Sequence, residues 1–98
     1  MLRPQATEPA LRVLVVDADC DAADSLAQAL FLMGWSARVA HNGQEAIDIA
    51  RAWLPPVALL DLAMPHCDGL QLARLLRGLE GLARLQLVTL TGVTDTEY

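Results

Sequence analysis

Two short apolar runs, residues 11–16 and 57–60, constrain this chain more than any other feature, because each is too short for a helix and each ends in a single carboxylate, Asp17 and Asp61. Runs of this kind are expected of parallel strands covered on both faces. An ionised carboxylate costs several kcal/mol to bury unpaired. Asp17 and Asp61 therefore belong where their strands leave the core, and Pro65 follows four residues after the second. Two strand tips would then offer converging acids, with Asp19, Asp21 and Asp24 close behind the first.

Between the runs the hydrophobic period lengthens. Leu26, Ala29, Leu30 and Met33 recur at helical spacing after an acid-rich start, where Asp21 and Asp24 suit a helix N-terminus. Gly34 ends that helix, being tolerant of a left-handed cap. Residues 36–40 read as a second strand, and Asn42 followed by Glu45 is a variant of the capping box opening a helix over 43–53. Pro55 and Pro56 block its extension. Leu70, Ala73, Leu75, Leu76 and Leu79 trace a third helix, and residues 85–90 a fourth strand. The order βαβαβαβ predicts an open α/β sheet with right-handed crossovers, in which ligands bind beyond the carboxyl ends of the strands.

The 98 residues suit one small domain, with residues 1–10 as a flexible lead-in and 11–98 as the folded unit. A net charge of −5, seven arginines and no lysine argue against binding to a nucleic-acid backbone. No apolar stretch approaches the ~18 residues needed to cross a membrane, and no secretory signal is expected. A cytoplasmic location follows as the expectation, with Cys20 and Cys67 as thiols.

Asp17, Asp61 and Asp19 could hold a hard divalent cation, since Mg²⁺ accepts one or two carboxylates, a backbone oxygen and several waters. For Asp19 the competing role is to cap the first helix. A calcium loop starting at Asp17 fails at Ala22 and Gln28, which stand where glycine and glutamate are needed. His66, Cys67 and Cys20 are too scattered for a tetrahedral zinc site. His41 reads as a solvated turn residue, and Trp35 and Trp53 as core-edge or partner-surface residues. No G-x-G-x-x-G pattern supports dinucleotide binding.

V13-L-V-V-D-A-D19, L59-L-D-L-A-M-P65, D68-G69 and L90-T-G92, in this order, resemble the receiver domain of two-component response regulators. The resemblance implies a flavodoxin-like doubly wound sheet and a signalling module, not an enzyme. It makes Asp61 the acceptor of a phosphoryl group from a sensor histidine kinase or phosphotransfer protein. It makes Asp17, Asp61 and the Ala63 backbone carbonyl ligands of Mg²⁺, and Thr91 the hydroxyl that moves toward the phosphorylated aspartate.

Receivers commonly carry two adjacent acids after the first strand, and here the second is Ala18, which implies weak Mg²⁺ binding unless Asp19 substitutes. The family's fifth strand, its lysine and its last helix have no counterpart before Tyr98, so the expectation is a truncated receiver. The alternative is a pseudo-receiver, an interaction or dimerisation module independent of phosphorylation. A bare fourth strand also implies a homodimer, or association through the edge of residues 85–90, whose Leu85, Leu87, Val88 and Leu90 read as interior.

Overall fold

The computed structural model describes residues 11–61, 64 and 68–90. The elements alternate as expected: β1 (Arg12–Val16), α1 (Cys20–Leu32), β2 (Ser36–Ala40), α2 (Gly43–Trp53), β3 (Val57–Asp61), α3 (Gly69–Arg77) and β4 (Gln86–Leu90). All strand pairs are parallel and the sheet order is β2-β1-β3-β4. From β1 the chain crosses to β2, then returns past β1 to β3. The winding thus reverses between the two strands that end in acids.

Period-two alternation divides the sheet into two packed faces. Leu14, Val16, Ala58 and Leu60 join Ala46 and Ala50 of α2 and Leu72 and Leu76 of α3. Val13 and Val15 face Ala23 and Leu30 of α1, with Leu26, Trp35, Val57 and Leu59 packed around them. Burying a leucine or valine fully is worth about 1.5–3 kcal/mol, so the completely covered Val13–Val16 segment anchors both layers at once. No buried residue among those described is polar. None of the described acids lies in the core.

Local chemistry sets the ends. Gly34 takes φ 92° directly after the α1 cap, the left-handed conformation that favours glycine. Asn42 caps α2 through Glu45 N–H at 2.8 Å. Glu45 reaches back to His41 N–H at 2.9 Å, one residue before the position a standard capping box would use. At the other end of α2, Leu54 sits at φ 51° and ψ 57°. The following proline disfavours a right-handed helical conformation there, and the Arg12 guanidinium donates to Leu54 O at 2.8 Å.

Several boundaries differ from the sequence reading by a residue or two: β1 starts at Arg12, β3 takes in Asp61, and Leu85 lies just before β4. Helix α3 stops at Arg77, so Leu79 lies beyond it, still packed on the core. Glycines at 78 and 81 explain this, since glycine in a helix interior costs about 1 kcal/mol relative to alanine and Gly81 turns the chain at φ 87°. Helix α1 starts at Cys20, capped by Asp19 ahead of Asp21 and Asp24.

Candidate functional site

The strand register assembles a row of residues along the carboxyl rim of the sheet. Val16 lies opposite Ala40 on one side and Leu60 on the other. One step further along each strand come His41, Asp17 and Asp61, and Asp61 pairs in turn with Leu90. Asp17 N–H donates to Ala40 O at 2.9 Å, which carries the β1–β2 ladder up to the acid. Asp17 and Asp61 are therefore neighbours at the reversal of winding, where open α/β sheets bind ligands.

The two carboxyl groups interact directly. The Asp17 carboxyl is pushed above its ordinary value, first by burial and further by the hydrogen-bonded Asp61 side chain and the charges of Asp61 and Asp19; the Asp19 N–H bond opposes the shift. That N–H donates to Asp17 Oδ1 at 2.9 Å. A cation beside two neighbouring carboxyl groups would relieve their repulsion. Their oxygen donors suit Mg²⁺, which needs few protein ligands.

Asp19 has a defined task of its own. Its Oδ1 accepts from Asp21 N–H at 3.0 Å and Ala22 N–H at 3.2 Å, satisfying the first turn of α1 as an N-cap. Ala18 is exposed beside the pair. No group of three or more His, Cys, Asp or Glu among the described residues is arranged to hold a metal ion. The described protein donors therefore reduce to Asp17 and Asp61, which fits a largely hydrated ion. Ala63 and Thr91 lie outside the described residues, as do His66 and Cys67.

His41 is less solvated than the sequence reading supposed. Its Nδ1 lies 3.7 Å from Glu45 Oε1, while Nε2 is shielded and has no hydrogen-bond partner among the described residues. Trp53 is half-buried beneath Arg38, whose guanidinium stands 4.9 Å from the ring centroid, a favourable cation–π distance. Cys20 is an exposed thiol.

Sequence reasoning missed the capping role of Asp68, which accepts from Leu70 N–H at 3.0 Å and Gln71 N–H at 3.3 Å. Its signal was present: an acid followed by glutamine three residues later is a capping-box pattern. No helix among the described residues is long and apolar enough to cross a membrane.

The profile described as "Response regulator receiver domain" matches residues 13–98. The response regulator MprA of Mycobacterium tuberculosis is 43% identical over 68 residues, which is 69% of this chain and 30% of that protein. The chain thus spans about 30% of the length of the curated relatives it matches. A response regulator receiver protein from Pseudomonas putida superposes with a TM-score of 0.78 at 29% identity, covering 92% of this chain and 74% of that one. For chemotaxis protein CheY4 of Vibrio cholerae the TM-score is 0.83 at 24% identity, over 92% and 74% of the two chains, a likeness of fold.

Proposed function

This chain belongs to the response regulator receiver domain family of two-component systems, and from that premise we propose that Asp61 accepts a phosphoryl group from a sensor histidine kinase or phosphotransfer protein. One observation carries this reading: Asp61 ends β3 level with Asp17 across the seam where the winding reverses. An Asp61 carboxylate oxygen attacks phosphorus as the donor's P–N bond breaks. The bonding pair stays on the imidazole nitrogen, which takes up a proton. The product is an acyl phosphate on Asp61 bearing roughly −1.5 to −2 charges if it behaves like other phosphorylated side chains.

The residues of this chain that would hold Mg²⁺ are Asp17, Asp61 and the Ala63 carbonyl, with Asp19 a further candidate. Bound there, Mg²⁺ would neutralise charge gathering on the phosphoryl oxygens. Asp17 would keep the ion beside the acceptor. Asp19, through its N–H, orients Asp17 while its own carboxylate holds the start of α1. Thr91, directly after β4, would supply the switch hydroxyl. The function is that of a signalling module, not an enzyme, working in the cytoplasm where such donors reside.

Incubation with acetyl phosphate or phosphoramidate and Mg²⁺, followed by intact-mass measurement, tests this. One added phosphoryl group is expected in wild type and none in Asp61→Asn. Wild type that stays unmodified at millimolar donor and metal would leave the second reading, a pseudo-receiver working as an interaction or dimerisation unit. Ala18, in place of the family's second acid, favours that reading. Self-association through β4 belongs to either case. This edge carries no charged residue from Gln86 to Leu90, and Val88 is 48% exposed. The opposite edge strand carries Arg38, a charge of the kind that protects edges.

A further inference from the structure

At the end of the sheet away from Asp61, a cleft of about 450 Å³ opens between the last turn of α2 and the turn after α3, lined by Arg51, Leu54, Leu79, Glu80 and Gly81. Its walls carry opposite charges, Arg51 from α2 and Glu80 from the turn. The ion pair found among the described residues is His41–Glu45, so these two do not neutralise each other. Leu54, 42% exposed, and half-buried Leu79 supply apolar surface between them.

The cleft is built from constrained backbone. Leu54 is the one non-glycine residue with positive φ among those described. Its carbonyl is held by Arg12 from the start of β1, and Pro55 is buried immediately after it. Gly81 faces Leu54 at φ 87°, and a Cβ there would lie 3.2 Å from Leu54 Cδ2. Left-handed non-glycine residues are uncommon and gather at ligand clamps and switch regions. The volume falls within the ~300–1,000 Å³ range of ligand pockets.

We infer that this cleft is a second binding site, separate from Asp61, for a short peptide segment of a partner protein presenting an acid, an apolar residue and a base in succession. The acid meets Arg51, the base meets Glu80, and the apolar side chain lies on Leu54 and Leu79. Exposed ion pairs are individually weak, so the site reads charge order at modest affinity. It does not depend on phosphorylation of Asp61.

The test follows the Leu54 and Gly81 backbone amides by NMR while the 98-residue chain is titrated with acetyl-Asp-Leu-Arg-amide or its uncharged counterpart, acetyl-Asn-Leu-Gln-amide. Saturating shifts at both amides are expected, with the charged peptide binding about fivefold more tightly. Arg51→Glu and Glu80→Arg should each weaken it about fivefold, and the double exchange should restore it with the peptide reversed. Asp61→Asn should bind like wild type, whatever its phosphorylation result. Equal binding of both peptides, indifference to the single exchanges, or no saturable shift at either amide would overturn the proposal.

Discussion

Asp17 ties the stability of the fold to pH. Its folded-state pKa is raised above the ordinary 3.8, chiefly by burial and then by Asp61. The folded state therefore holds that proton more firmly than the unfolded chain does. Stability contributed by the protonated form is lost as pH rises through the raised value, and the cost persists at neutral pH. Asp17→Asn should raise stability at neutral pH by less than about 1 kcal/mol, because the pair is partly exposed. The gain should vanish as pH falls below the ordinary value, which urea titrations at several pH values would check. Ala18→Asp should make Mg²⁺ binding tighter by about tenfold, one added carboxylate ligand, as read by calorimetry. Equal affinities would mean that the position does not face the ion. Asp17 and Asp61 were legible because a carboxylate ending an apolar run has nowhere to go but the rim. The capping bonds of Asp19 were not, since the same acid at the same spacing serves equally as cap or ligand until its backbone is fixed at φ −83° and ψ 109°.

At the scale of elements, the alternation of strands and helices could be read from period alone, but the buried face of α3 could not: Leu76 is buried as read, whereas Leu70 and Leu75 are exposed and Leu72 takes the core position instead. The bounds of α2 could be read as 43–53 too, but not the contacts with distant parts of the chain that hold its end. Nothing near Leu54 in the chain announces that Arg12, on another element, will hold its carbonyl. Leu79 kept the apolar spacing of α3 yet left the helix, since burial on the core can be met from a turn as well. The α3 start is more self-contained. Asp68→Ala removes the acceptor for two N–H groups and should cost about 1 kcal/mol, lowering the chemical-denaturation midpoint without changing its slope.

For the whole molecule, the two edges of the sheet formed by the described residues differ in charge and exposure. One side ends in β2, where Arg38 stacks on Trp53, and the other in β4, which is uncharged and exposes Val88. At about 25 cal/mol per Å², a few hundred Å² of wetted apolar surface is worth several kcal/mol, comparable to the stability of a small domain. Sedimentation at micromolar concentration should show a dimer or larger species, and Val88→Lys should shift the population toward monomer. A compact wild-type monomer that unfolds cooperatively would contradict this.

The order of the strands also has a kinetic side. Joining β1 to β2 brings Arg12 to Ser36, whereas joining β1 to β3 brings Val13 to Val57, nearly twice as far along the chain. Loop closure becomes costlier with length, and contacts remote in sequence slow folding. The first crossover can therefore form before the central seam closes. Asp17 and Asp61 meet only at that later closure, so a chain still searching for its fold presents two separate acids and no site to a phosphodonor.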